Sequence, residues 1–232
     1  MSETIEPGVL YIVSTPIGNL DDITLRAIRI LQGVDLIAAE DTRNTRVLLD
    51  HLKITKPLLS YHSYNENRRT PQVTGRLKEG NAVALVTDAG TPGISDPAFA
   101  LIRAAVDEGV RIVPVPGASA VLPALVVSGL ATDRFVFEGF LPLKKGRKTR
   151  LEDLSREHRT IVFYESPFRV VRTLEEIQRA FGERRVAVVR ELTKKFEEVV
   201  RGTISEVLAT LKKKEPRGEY VLVIEGNRGE KT

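Results

Sequence analysis

The chain has 232 residues, 42% of them hydrophobic and 28% charged, enough for a substantial core in one or two domains. It contains no apolar run long enough for a membrane span, and it has no cysteine, which excludes disulfides, thiolate metal sites and a cysteine nucleophile. The net charge of +4 is a weak argument for an anionic partner, but Lys144, Lys145, Arg147, Lys148 and Arg150 crowd into one short stretch.

Strand and helix patterns alternate along the chain. Val9–Ser14 is a strand candidate, and Ile23, Ala27, Ile30 and Leu31 then recur at helical spacing. Leu36-Ile37-Ala38 is a short strand running into Glu40-Asp41, with Asp41 or Thr42 placed to cap a helix toward Leu52. Leu58–His62 is a further strand, and Arg68–Glu79 a polar helix. Ala82–Thr87 is a strand that empties into Asp88-Ala89-Gly90-Thr91-Pro92-Gly93, a run of small residues too long for a simple turn. Asp96-Pro97 reads as a helix start, with Asp96 as N-cap and Pro97 at the first helical position, and Phe99–Glu108 is a helix ended by Gly109. Arg111–Val115 is a strand, after which Pro116-Gly117-Ala118-Ser119 interrupts the alternation.

The second half starts with a strand at Phe135–Phe140 and a basic helix near Arg150–Glu157. Thr160–Tyr164 is a strand, and Ser166-Pro167 opens a helix that carries Leu174, Ile177 and Phe181 on one face before Gly182. Strand candidates crowd between Val186 and Arg201, which suggests antiparallel pairing. Thr203-Ile204-Ser205-Glu206 is a capping box, and Tyr220–Ile224 is the last strand before a frayed end at Asn227–Thr232. The pattern predicts two α/β domains, residues 1–116 with a mostly parallel sheet and residues 117–232 with a mixed one.

Ligands in open α/β sheets sit outside the carboxyl ends of the strands. The stretches after four strand candidates are therefore candidate ligand loops: Pro16–Asp21, Glu40–Arg43, Asp88–Pro92 and Gly117–Ala120. No dinucleotide fingerprint or phosphate-loop lysine occurs, and two small-residue junctions suit a nucleoside-type ligand. Tyr164-Glu165 and Arg190–Lys195 end two further strands, where a core aromatic and a solvated loop are the plain alternatives.

Taken in order, Leu10–Leu20, Leu36–Arg43, Asp88–Pro92, Phe163–Ser166 and Arg190–Lys194 resemble the tetrapyrrole-methylase superfamily over nearly the whole chain. Asp88-Ala89-Gly90 stands where tetrapyrrole-modifying members usually have Gly-Asp-Pro, and the first loop lacks their glycine-rich Gly-Asp ending. Both departures point to the branch of the superfamily that acts on ribosomal RNA. The resemblance implies a two-domain fold with a cleft between the domains and S-adenosylmethionine as cofactor with no metal required. It implies 2′-O-methylation of a cytidine ribose in the decoding region of 16S ribosomal RNA, within the small subunit, by a cytoplasmic homodimer.

The resemblance places Pro16, Asp88, Ala89, Gly90, Ile94, Ser95, Ser119, Ala120, Tyr164 and Leu192 in the cofactor pocket. Candidates for the base are Glu40, Asp41, His62, Glu165 and Lys194, with Asp41 and Glu165 favoured. Glu40, Arg43, Lys144, Lys145, Arg147, Lys148 and Lys194 are expected to meet RNA. Two rivals remain: an enzyme of the same fold acting on a tetrapyrrole or a protein, and a non-enzymatic RNA-binding module.

Overall fold

The structure is a computed structural model that describes residues 4–229, so the expectations for residues 1–3 and 230–232 lie outside it. The chain divides into two units, one ending at Ser119 and the other beginning at Ala120. Residues 117–119 stay with the first unit because Gly117 packs against Ser14 and the Ala118 carbonyl accepts the Thr91 hydroxyl at 3.5 Å.

In the first unit the strands are β1 (Leu10–Val13), β2 (Leu36–Ala39), β3 (Leu58–Ser60), β4 (Val83–Val86) and β5 (Ile112–Val115). They form one sheet in the order β3-β2-β4-β1-β5, with every pairing parallel. The helices are α1 (Leu25–Gly33), α2 (Thr42–His51), α3 (Glu66–Lys78) and α4 (Phe99–Asp107). The inner strands β1, β2 and β4 read as unbroken apolar runs because both faces of the sheet are covered. Tyr11, Val13, Ala84 and Val86 point to one face, where they pack with Ala27, Ile30 and Leu31 of α1 and Leu49 of α2. Leu10, Ile12, Val83 and Leu85 point to the other, against Val73 and Leu77 of α3 and Leu101 and Ala105 of α4. Pro114 is accommodated because β5 is an edge strand.

This arrangement fixes where a ligand can sit. β1 and β2 feed helices on one face of the sheet, whereas their shared neighbour β4 feeds α4 on the other. A ligand in an open α/β sheet binds in the crevice at such a switch point, outside the carboxyl ends of the strands, here those of β1, β2 and β4.

The second unit contains α5 (Val121–Ser128), β6 (Phe135–Phe140), α6 (Arg147–Leu154), β7 (Thr160–Glu165), α7 (Val170–Phe181), β8 (Arg185–Arg190), β9 (Glu198–Thr203), α8 (Ile204–Leu211) and β10 (Tyr220–Ile224). Its sheet order is β6-β7-β10-β8-β9; β6 and β7 are parallel and the other pairs antiparallel. α6, α7 and α8 pack one core against it through Leu151, Leu154, Leu174, Ile177, Phe181, Ile204 and Val207. Thr203 and Glu206 form the capping box read from the sequence.

Three helix starts differ from expectation. α4 begins at Phe99 with Ala98 as its N-cap, and Asp96 caps nothing. Ser95, at φ +69°, turns the chain just ahead of it, and Asp96-Pro97 is spent on the approach. α7 begins at Val170 because Ser166 closes a separate turn first, its hydroxyl accepting the Phe168 N–H at 3.3 Å. α6 begins at Arg147, earlier than the expected Arg150, entered through Gly146 at φ +80°. Among the described residues no helix is long and apolar enough to cross a membrane.

Candidate functional site

The loops after β1, β4 and β5 are laced together at the carboxyl edge of the first sheet. Thr15 and Gly90 exchange backbone hydrogen bonds of 2.9 and 3.0 Å, an isolated antiparallel bridge between two parallel strands' exit loops. The Thr15 hydroxyl donates to the Thr87 carbonyl at 3.0 Å, and the Ser14 and Thr91 hydroxyls lie 2.9 Å apart. Two glycines make the lacing possible. Gly90 sits at φ +80°, a conformation that costs a side-chain-bearing residue about 1–2 kcal/mol. A Cβ on Gly117 would fall 2.9 Å from the Ser14 Cβ, so the β5 loop could not close on β1. The result is a rigid ledge on which Asp88 and Ala89 are exposed.

Carboxylates gather beside that ledge. Asp41 caps α2, accepting the Arg43 N–H at 2.8 Å and its guanidinium at 3.0 and 2.5 Å. The neighbouring Asp41 N–H donates to Asp88 at 3.2 Å, and the Asn44 amide reaches the other Asp88 oxygen at 2.9 Å. The Asp88 N–H in turn donates to Glu40 at 3.4 Å, so β2 and β4 are joined by paired side-chain-to-backbone contacts.

Their proton affinities separate them. Hydrogen bonds from Arg43 hold Asp41 down at about 2. Burial pushes Glu40 up, reinforced by the Asp88 charge. Asp96 is pushed up to about 7, first by burial and then by the charges of Glu40 and Asp88. The crevice thus concentrates negative potential at a half-buried position. Among the described residues no group of three or more histidines and carboxylates is placed to hold a metal ion.

Pro16, Asp88, Ala89, Gly90, Ile94, Ser95 and Ser119 all lie in the loops at this carboxyl edge. Ile94 is exposed, and Ser95 is held in the left-handed region. Glu40, Asp41 and Arg43 stand at the end of β2, and the charge of His62, beyond β3, acts on Glu40. Sequence reasoning missed Asn44 and the part played by Asp96. Asn44 lies three residues beyond the cap, close enough along the helix to point back to the crevice; Asp96 was masked by its resemblance to an N-cap.

In the second unit the expectations fare unevenly. Glu165 is not poised to act as a base. Its side chain is 1% exposed and accepts from Thr173 at 2.6 Å, the Ser166 N–H at 2.7 Å and Arg169 at 2.8 Å. Arg147 is not a free cation for RNA either. It is buried, with Glu176 at 2.6 Å, the Thr173 hydroxyl at 2.7 Å and the Pro142 carbonyl at 3.1 Å. Lys194 is bridged to Glu191 and Glu219, each at 3.0 Å. Burial alone would lower it, but the two carboxylates outweigh burial and hold it above its ordinary value, which favours its charged form. Lys144, Lys145 and Lys148 are exposed, and Arg150 pairs with Glu138 at 2.6 Å. Ala120 is the N-cap of α5. Tyr164 packs edge-on against Phe137 and Phe140, with ring centroids 4.9 and 5.6 Å away. Leu192 is buried between Glu191 at φ +51° and Thr193 at φ +66°, a costly conformation for a β-branched residue.

A parallel five-stranded sheet followed by a mixed five-stranded sheet has counterparts among known proteins. The family model for tetrapyrrole (corrin/porphyrin) methylases matches residues 9–208, and the chain belongs to this family. Two solved structures share the fold at low sequence identity. The cobalamin biosynthetic enzyme cobalt precorrin-4 methyltransferase superposes with a TM-score of 0.67 at 22% identity, covering 94% of this chain and 95% of its own. Uroporphyrin-III C-methyltransferase from Thermus thermophilus, complexed with S-adenosyl homocysteine, gives 0.64 at 21% identity, covering 93% and 96%.

Sequence similarity is much greater to one branch. Ribosomal RNA small subunit methyltransferase I of Synechocystis sp. is 51% identical over 221 residues, spanning 94% of this chain and 79% of the relative. The protein of the same name from Thermotoga maritima is 48% identical over 219 residues, spanning 94% and 99%.

Proposed function

We propose that the protein transfers a methyl group from S-adenosylmethionine to ribosomal RNA of the small subunit, at the 2′-hydroxyl of a cytidine ribose in the decoding region. The observation that carries this reading is the 51% identity, over 94% of the chain, to a ribosomal RNA small subunit methyltransferase. The Asp88-Ala89-Gly90 loop, where tetrapyrrole-modifying members usually have Gly-Asp-Pro, supports the same branch.

The residues of the crevice fit the cofactor. S-adenosylmethionine carries a sulfonium and an ammonium, and supplies an electrophilic methyl group whose transfer removes the sulfonium charge. Glu40, Asp88 and Asp96 provide the negative potential that such a ligand needs, and Asp88 is held in place by Asn44 and the Asp41 N–H. The Thr15–Gly90 bridge keeps the small-residue ledge rigid, so orientation is set before the ligand arrives.

The acceptor hydroxyl must lose its proton as its oxygen bonds to the methyl carbon. Among the candidate acids, Glu40 has the chemistry for this: it is half-buried at the end of β2 with its proton affinity raised. Asp41, bound to Arg43 and held at about 2, is a poor acceptor and instead anchors α2. Arg43, 88% exposed in its side chain, presents a cation toward solvent for an RNA phosphate.

The test is mass spectrometry of RNA recovered after incubating the protein with S-adenosylmethionine and unmodified small subunits. A single methylated cytidine, with the added mass on the ribose, is expected. Methylation of a base, or of a uroporphyrinogen-type substrate in place of RNA, would overturn the assignment.

A further inference from the structure

The second unit contains a groove that the crevice chemistry does not use. It has a volume of about 790 Å³ and lies between α6 and α7, with Leu143, Leu151 and Ala180 as apolar lining. Lys144, Arg147 and Lys148 line it from the α6 side, and Arg172 and Arg179 from α7. Against these five cations stand two carboxylates, Glu152 and Glu176, which leaves a net charge of +3 in one groove of a chain whose total is +4.

The five cations do not play the same part. Arg147 is consumed inside the protein by Glu176, Thr173 and the Pro142 carbonyl, and so pins the base of α6 to α7. Glu176 also takes Arg172 at 2.9 Å, which holds that guanidinium at the rim while its side chain stays 73% exposed. Lys148 is 91% exposed and 3.7 Å from Glu152, and Lys144 and Arg179 are exposed. Arg172 and Arg179 are two helical turns apart on one face of α7, about 10 Å along its axis. Cations on α6 and the loop before it, and on α7, therefore flank an apolar floor, a layout complementary to a chain of phosphates rather than to a single anion.

We propose that the groove between α6 and α7 seats the sugar–phosphate backbone of single-stranded RNA, with Lys144, Lys148, Arg172 and Arg179 as the phosphate-binding groups. The proposal rests on the RNA-methylating reading above and extends it to a second surface, with two arginines that the basic cluster in the sequence does not include. Arg147 acts as a positioning residue that keeps the two sets of cations apart.

The experiment measures binding of the full chain to a fluorescein-labelled, single-stranded oligoribonucleotide of about 20 nucleotides by anisotropy, across salt concentrations of about 50 to 200 mM. The variant is Lys144→Gln/Arg179→Gln, which leaves the Arg147–Glu176 contact untouched. Lys213→Gln/Lys214→Gln, with the same loss of charge at exposed positions just beyond α8, is the control. Losing two phosphate contacts should reduce the slope of log affinity against log salt by about 1.4, so the same rise in salt weakens the parent about sevenfold more than the variant. S-adenosylmethionine affinity, measured by calorimetry, should be the same in all three proteins. A slope that falls equally in the control, or stays at the parent value in the variant, overturns the groove while leaving RNA methylation standing. Failure of the parent itself to bind RNA overturns both readings. Displacement of the RNA by polyglutamate at equal charge concentration overturns RNA as the occupant in favour of an acidic protein segment.

Discussion

Binding of S-adenosylmethionine should tighten as pH rises from about 6 to about 7, because the crevice must ionise to receive a cation. Asp96 has a proton affinity near 7 in the free protein, raised by burial and by Glu40 and Asp88. A bound sulfonium and ammonium would favour its ionised form, lower that value and release a proton. If only ionised Asp96 admits the ligand, affinity scales with the ionised fraction, which gives about fivefold tighter binding at pH 7 than at pH 6. Glu40, also raised, shifts in the same direction. The window stops near pH 7 because the ligand's own amine, with an ordinary value of about 7.7–8.0, begins to lose its charge above it. The assay is isothermal calorimetry in two buffers of different ionisation enthalpy, which counts protons directly: close to one released at pH 6 and about half of one at pH 7. In Asp96→Asn the release and the pH dependence should both largely disappear. The stability sign is opposite. An acid whose value is raised on folding contributes fully below its unfolded value of 3.8 and loses that contribution as pH rises toward about 7. Asp96→Asn should therefore melt higher than the parent at pH 8 and show little gain at pH 4. Equal affinity at pH 6 and pH 7 in the parent, with no proton released, would refute the reasoning.

Glu40→Gln should lower the rate of methyl transfer by about 10²–10⁴-fold, read in single-turnover reactions with labelled cofactor, while Asp41→Asn costs far less in chemistry. Gly117→Ala should destabilise the first unit by about 1–3 kcal/mol in urea unfolding, because its Cβ would crowd the Ser14 Cβ; adding Ser14→Gly should recover most of the loss, whereas Ser14→Ala should recover none. Arg147→Ala should cost about 3–5 kcal/mol, since it strands Glu176 half-hidden beside Arg172 alone, and the variant should gain stability relative to the parent as acid protonates Glu176. Thr193→Asn should be stabilising by up to about 1 kcal/mol, because asparagine tolerates the left-handed backbone that threonine occupies at φ +66°.

What was legible in the sequence follows the range of the interactions involved. The three inner strands of the first sheet, β1, β2 and β4, were readable because each is a short apolar run buried on both faces, and burial alone dictates that pattern. The capping box at Thr203 and the cap at Asp41 were readable because a side chain and a nearby backbone N–H settle them. The same local logic misread Asp96. Its Asp-Pro pair has the form of a helix start, yet Ser95 in the left-handed region turns the chain before the helix begins, and the carboxylate comes under the charges of Glu40 and Asp88 instead. Arg147 failed in the complementary way. It sits in a basic cluster whose other members are solvated, and nothing in its neighbours in sequence announces Glu176 and Thr173, more than twenty residues away on the next helix. A charged residue can be placed in a cluster by sequence, but whether its charge is free depends on partners that only the fold supplies. That distinction also separates the two acids first favoured as the base. Asp41 and Glu165 both stand at strand ends, and both are already engaged by arginines, so their charge is spent on structure. Glu40 and Asp96 retain raised proton affinity because burial and neighbouring carboxylates act on them, and for Glu40 these outweigh the Asp88 N–H and the charge of His62. The loop Asp88–Gly93 therefore gains its chemical character from residues on β2 and ahead of α4 as much as from its own.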